Sequence, residues 1–272
     1  MKVKIFLLNK KLNIRKEHIK FYNQNGYIVF RNMFKKSEVH TLDKNISYFA
    51  SKDWHNIMNP DRLEYLLSQS NEKFKKIKKL LDRIKFIQKA TETSDLFRSY
   101  LVDKRVKNVL EKLLIKKFAG LMTHVIFKHA NTKYAKLGWV PHQDNSYAQM
   151  KEGAYVTTNL FIHKNTKENG CLYLFPESHK LGLVNFKQYF SYHAKSDQKP
   201  GNRVGFDLKK FNKIDLETKA GDYLIMNGNL VHGSYGNFSK NLSRHMLSFN
   251  YGVVGKKFNP GITAKRRSTH FS

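Results

Sequence analysis

Trp139-Val140-Pro141-His142-Gln143-Asp144 sets a histidine and a carboxylate two residues apart in a run of strand-like character. Side chains at i and i+2 of a β-strand share a face, so His142 and Asp144 are expected to grip one ion while Gln143 faces away. A second histidine, His232, stands ninety positions later, and Arg244 follows it by twelve. Two histidines and one carboxylate make the facial triad of a non-haem Fe(II) centre, which leaves three octahedral positions open. Groups this distant in the chain meet only when a sheet closes, so the hexapeptide bears on the fold as much as on the chemistry.

The triplet alone is weak, since twelve histidines in 272 residues produce stray matches. Its company is more specific. Thr157-Thr158-Asn159-Leu160-Phe161-Ile162-His163 reads as a strand. Glu168-Asn169-Gly170-Cys171-Leu172-Tyr173-Leu174-Phe175-Pro176-Glu177-Ser178-His179 follows it, and Ala220-Gly221-Asp222-Tyr223-Leu224-Ile225-Met226-Asn227 leads into the turn before His232. Arg244 opens the largely alternating segment Arg244-His245-Met246-Leu247-Ser248-Phe249-Asn250-Tyr251. A buried carboxylate needs a permanently charged planar partner, and arginine supplies one through bidentate hydrogen bonds.

This series resembles the phytanoyl-CoA dioxygenase family of Fe(II)- and 2-oxoglutarate-dependent oxygenases. Glu177 departs from the resemblance, standing where glycine is usual. His18 to Asn32 also resembles the family's helix-to-first-strand entry, so the likeness covers about residues 15–50 and 120–255. It implies that His142, Asp144 and His232 bind Fe(II). Arg244 would clasp the distal carboxylate of 2-oxoglutarate with help from the Ser234 hydroxyl. Lys128, Asn159 and Trp139 fall at looser pocket positions. Each also has a plain alternative: a solvated lysine, a strand residue bonded to neighbouring backbone, and a cap on the core. Oxygen would be the co-reactant and succinate and CO2 the products. Hydroxylation is the default outcome, with desaturation, ring formation or epimerisation open. Asp144 disfavours chlorination, because related halogenases keep its position vacant.

The expected architecture is α+β, mainly β: a double-stranded β-helix, or cupin-like jelly-roll barrel, with flanking helices. A single domain is expected over 1–272, helix-rich to about 118, β-helix from about 119 to 255, then a loose basic tail from 256. A capping signal at Ser37 precedes Val39, Leu42, Ile46 and Phe49 at helical spacing. Phe74, Ile77, Leu80, Leu81, Ile84 and Ile87 form one helical stripe, and Val106, Val109, Leu110, Leu113 and Leu114 another. Both read as core faces packed outside the sheets. From about residue 121 short β-branched and aromatic runs take over.

One cysteine excludes an internal disulfide, and Cys171 reads as a small buried hydrophobe. The opening residues offer four consecutive apolar positions, too few for a secretory signal, and no window suits a membrane span. The chain therefore reads as cytoplasmic.

Fifty Lys and Arg against 21 Asp and Glu give a net charge of +29. Such charge suits nucleic acid, an anionic surface or an acidic substrate. The lysines are spread rather than clustered, as in the coding bias of an AT-rich genome, and no nucleic-acid-binding motif accompanies them. A polyanion-binding or polyanion-modifying protein built on the same barrel is the alternative reading. The preferred partner is a small polar or anionic molecule, with Gln143, Asn145, Tyr147 and Gln149 as pocket-mouth candidates or solvated loop residues.

Overall fold

The computed structural model describes residues 3–8, 12–31, 33–51, 86–88, 90–92, 94–131, 134–151, 153–189, 198–199, 201–261 and 265–271. In chain order the elements are β1 (Ile5–Leu7), α1 (Lys16–Asn25), β2 (Tyr27–Arg31), α2 (Lys36–Ser51), β3 (Phe86–Gln88), α3 (Asp95–Leu101), α4 (Lys104–Leu114) and β4 (Phe118–Ile126). They continue with β5 (Gly138–His142), α5 (Asn145–Ala148), β6 (Tyr155–Phe161), β7 (Leu172–Leu174), β8 (Phe186–Tyr189), β9 (Gln198–Lys199) and β10 (Gly201–Val204). The last four are β11 (Ile214–Leu216), β12 (Tyr223–Asn227), β13 (His232–Ser234) and β14 (Met246–Val253).

Seven strands form the larger sheet, in the order β1-β2-β12-β6-β14-β4-β3, and five form the smaller, in the order β11-β7-β13-β5-β9. The pleat sorts the side chains. Tyr27, Val29, Phe161, Leu224, Met226 and Met246 join Leu172, Leu174, Ile214 and Leu216 of the smaller sheet in one cluster. Their alternates Ile28, Phe30, Leu160, Tyr223, Ile225, Leu247 and Phe249 face outward and are covered by Val39, Leu42 and Ile46 of α2 and by the α4 stripe. This is the expected jelly roll, with period-2 alternation dividing a shared core from a helix-covered back.

Gly26 ends α1 at φ 78°, and a Cβ there would run into the His179 ring, so the helix-to-strand entry requires glycine. The Gly221-Asp222 pair has a mechanical role as well. Asp222, fully buried, accepts bonds of 2.8 Å from both Nε and Nη2 of Arg31, tying β12 to β2.

Several expectations change. Residues before 118 contribute the strands β1 to β3 beside the helices, β2 being the strand expected after the first helix. Ile87 belongs to β3, paired with Val125, and the rest of its expected stripe lies outside the described residues. Ser37 sits inside α2 rather than capping it; Glu38 instead reaches back to accept the Lys35 amide at 2.7 Å. Val39, Leu42 and Ile46 are buried, and the Phe49 side chain lies outside the described residues. The tail is not loose either: Thr269 bridges to Gly120, and Phe271 stacks on Tyr251 at 5.8 Å. No helix among the described residues is long and apolar enough to cross a membrane.

Candidate metal centre

His142 ends β5 and lies directly opposite His232, the first residue of β13. Asp144 lies beyond the strand, not on it as expected; its backbone is already helical, at the entry to α5. The turn nonetheless returns its carboxylate to the same place. Asp144 Oδ1 is 3.3 Å from His142 Nε2 and 3.6 Å from His232 Nε2, and all three ligand atoms lie within 4.8 Å of one another.

Both imidazoles are prepared as ligands. His142 Nδ1 meets the Val140 carbonyl at 2.7 Å, and His232 Nδ1 meets that of Leu230 at 3.0 Å. A carbonyl only accepts, so each Nδ1 carries the proton and each Nε2 presents a lone pair. Burial pulls the His232 pKa down to about 4, keeping that ring neutral. Burial opposes ionisation of Asp144, but the neighbouring histidines and the Thr157 hydroxyl hold its carboxyl below the usual range. Thr157 Oγ1 donates to Asp144 Oδ2 at 2.6 Å and accepts from Asn250 Nδ2 at 2.9 Å. Two imidazoles and a carboxylate converging with fixed tautomers fit a divalent iron.

Deeper in the barrel, Arg244 is 1 % exposed. It precedes β14, and its Nε and Nη2 donate to the Gly170 carbonyl at 3.0 and 2.7 Å. Among the described residues no carboxylate pairs with it, and burial pulls its pKa down to about 10. A buried cation without an acid is costly unless an anion joins it. The Glu-Asn-Gly-Cys turn serves this arrangement. Gly170 has φ 89°, and a Cβ there would meet the Tyr235 carbonyl oxygen at 2.9 Å. Asn169 braces the turn through Thr166 and Lys164.

The looser candidates divide. Lys128 is fully buried, not solvated; its Nζ donates to Ser234 Oγ at 2.9 Å and to the Tyr235 carbonyl. Ser234 Oγ also accepts the Trp139 amide at 3.3 Å, leaving its own hydroxyl proton to donate. Asn159 is 1 % exposed on the inward face of β6, and its Nδ2 has no partner among the described residues. Such an orphaned buried donor suits a ligand that brings an acceptor. The Trp139 ring lies 6.2 Å from that of His142 and is half-buried.

Gln143 and Asn145 are not solvated loop residues but fixed parts of the scaffold. Gln143 Nε2 donates to the Gly182 and Asn229 carbonyls, and its Oε1 accepts the Val184 amide. Asn145 bonds Met150 twice and Asn229 once. Tyr147 accepts the Asn202 amide through its hydroxyl, and Gln149 is exposed. Thr157 and Asn250 escaped the sequence reading, although both are polar residues at inward positions of buried strands, which is the available signal.

Residues 22–246 match the family model for phytanoyl-CoA dioxygenase (PhyH). The chain is similar to "Phytanoyl-CoA dioxygenase 1" of Oryza sativa subsp. japonica, 26% identical over 252 residues, 85% of this chain and 86% of that one. It is 23% identical over 254 residues to "Phytanoyl-CoA dioxygenase" of Arabidopsis thaliana, with the same coverages of 85% and 86%. Among solved structures, the epimerase SnoN in complex with Fe3+, alpha ketoglutarate and nogalamycin RO superposes with TM-score 0.67 at 16% identity, covering 90% of this chain and 86% of its own. EctD from S. alaskensis with 2-oxoglutarate and 5-hydroxyectoine gives TM-score 0.65 at 19% identity, covering 94% and 85%. These two likenesses are of fold.

Proposed function

This chain belongs to the phytanoyl-CoA dioxygenase family, and we propose that it hydroxylates a small polar or anionic metabolite at the centre made by His142, Asp144 and His232. It is a non-haem Fe(II)- and 2-oxoglutarate-dependent dioxygenase. The observation that carries the assignment of roles is Arg244, a buried cation with no acid of its own among the described residues.

In this reading the two Nε2 lone pairs and the Asp144 carboxylate hold Fe(II). With 2-oxoglutarate and O2, the iron supplies an oxidation that releases succinate and CO2. Thr157 orients Asp144, and the Val140 and Leu230 carbonyls fix the two rings. Arg244 takes the distal carboxylate of the cosubstrate, with the Ser234 hydroxyl and the free Asn159 Nδ2 as further donors. Lys128 braces Ser234 and adds a second buried positive charge. Trp139 bounds the space beside His142. Support for an anionic substrate is the net charge of +29, which raises the local concentration of anions.

The test is an anaerobic titration of metal-free protein with Fe(II) and 2-oxoglutarate. A visible charge-transfer band is expected, weakened in Asp144→Ala and in Arg244→Ala; a folded protein without the band would refute the assigned centre. Succinate release is then compared across carboxylates, phosphates, acyl thioesters and their uncharged analogues. Equal turnover of charged and uncharged members would remove the anionic preference.

A further inference from the structure

Behind the start of β14 lies another group of metal-ligating side chains that the oxygenase chemistry does not use. Asp43 of α2, His163 just past β6 and His245 just before β14 each offer one ligand atom, and these atoms lie within 4.8 Å of one another. We propose that Asp43, His163 and His245 form a second divalent-cation site, of the imidazole-carboxylate type that takes zinc, apart from the His142-Asp144-His232 centre.

The spacing is the first argument. Asp43 Oδ1 lies 3.0 Å from His163 Nε2 and 3.8 Å from His245 Nδ1. Two ligands of a tetrahedral zinc ion, at bonds of about 2.0–2.2 Å, stand roughly 3.3 Å apart, between these values. The corresponding separations in the His142-Asp144-His232 centre, 3.3 and 3.6 Å, lie within the same range.

The second argument is the state of His245. The residue is 2 % exposed, and its Nδ1 has no hydrogen-bond partner among the described residues. The carboxylate oxygen in front of it is too far for a hydrogen bond. On its other side, His245 Nε2 meets His129 Nδ1 at 3.3 Å. When Nε2–H donates there, Nδ1 is a buried lone pair turned toward a carboxylate, an arrangement that a cation between them completes. Burial pulls the His245 pKa down, with the Asp43 carboxylate pulling the other way. His129 then stands where an orienting partner of a metal-bound histidine belongs. The side chains of His163 and Asp43, 24% and 35% exposed, give the ion a route in.

Proton bookkeeping closes. In the cation-free cluster His163 Nδ1 accepts the His245 amide at 3.2 Å, so Nε2 carries the proton facing Asp43. A cation takes that place, the ring proton moves to Nδ1, and the contact with the amide opens. No net proton is released.

The test uses full-length metal-free protein and Zn2+ alone, with bound metal counted by elemental analysis after equilibrium dialysis. Wild type should bind two equivalents. His142→Ala/His232→Ala should keep one, and that one should be absent from Asp43→Asn/His163→Gln. The latter variant should retain the equivalent held by the iron centre, which shows that it is folded. His163→Cys, which restores a ligand as thiolate, should recover the second equivalent. Equal binding by wild type and Asp43→Asn/His163→Gln would overturn the proposal, as would loss of all zinc from His142→Ala/His232→Ala.

Discussion

His232 stands directly opposite His142 in the β5–β13 ladder, with the two ring centroids 4.3 Å apart. The register slips immediately afterwards, so that Ser234 faces Trp139. An extra residue in one strand re-aims the side chains beyond it. Here the extra residue falls in β5, while His232 and Ser234, two apart on β13, share one face, the latter turned to Lys128. A one-residue shift of β13 would carry His232 to the opposite face and dismantle the centre.

Thr157 is the residue that holds the Asp144 carboxylate, through a bond of 2.6 Å. Valine has the same shape without the donor. Thr157→Val should therefore leave the fold intact and weaken divalent-metal binding by about 10- to 100-fold, the usual cost of losing an outer-shell partner. Cobalt(II) titration of both proteins measures it. Unchanged affinity would show that the α5 turn alone fixes Asp144.

Arg244→Met separates the cosubstrate from the fold. Removing a buried cation that has no acid partner among the described residues relieves desolvation, offset by two lost bonds to Gly170. Apo stability should change little, within about 1–2 kcal/mol. The gain in melting temperature that wild type shows with 2-oxoglutarate and a redox-inert metal should disappear. That loss corresponds to about 2–5 kcal/mol of binding. A variant still stabilised by 2-oxoglutarate would assign its carboxylate elsewhere.

The candidate triad was legible in the sequence because metal chemistry restricts residue type and the pleat restricts spacing. His142, Asp144 and His232 meet as read, although Asp144 reaches the site from a turn. What stayed hidden depends on three-dimensional closure. Gln143 and Asn145 are polar and adjacent to the triad, which suggests a pocket, yet loops folding back from Gly182 and Asn229 consume their hydrogen bonds. For Lys128 the sequence leaves a pocket position and a solvated lysine both open, and only the tertiary structure shows it bonded to Ser234. The partnership of Asp43 with His163 joins a helix to a strand end 120 positions away, with no local pattern to announce it. Tail docking through Phe271 likewise depends on Tyr251 being presented by β14.

Five non-glycine residues among those described have positive φ, among them Glu177 at φ 70° and Ile115 at φ 55°, the latter 80 % exposed. An L side chain pays about 1–2 kcal/mol there. Glycine relieves that strain but adds unfolded-chain entropy of about 0.4–1 kcal/mol. Glu177→Gly and Ile115→Gly should each stabilise the protein by about 0.5–1 kcal/mol in urea unfolding. Glu177 gains less, since its exposed ion pair with Lys180 offsets part of the strain. Destabilisation by either change would mean that the side chain makes a larger contribution than its exposure implies.

Cys171 is fully buried, and burial pushes its thiol up to about 12, with the charges of Arg244 and Lys128 pulling the other way. In the unfolded chain the same thiol ionises near about 8.5. Between those values the unfolded state sheds a proton that the folded state keeps, so stability falls as pH rises, by at most about 1.4 kcal/mol per pH unit. Burial also raises nine tyrosines among the described residues, which begin to ionise in the unfolded chain from about pH 9, so the cysteine makes the larger contribution only between about pH 8 and 9. Urea unfolding of wild type at about pH 8, 8.5 and 9 should show this decline, and Cys171→Ala should make it shallower. The native thiol should also resist iodoacetamide at pH 8 and react once urea is added. A thiol alkylated in the native state would mean that Gly170 and its neighbours open, exposing the carbonyl that Arg244 holds.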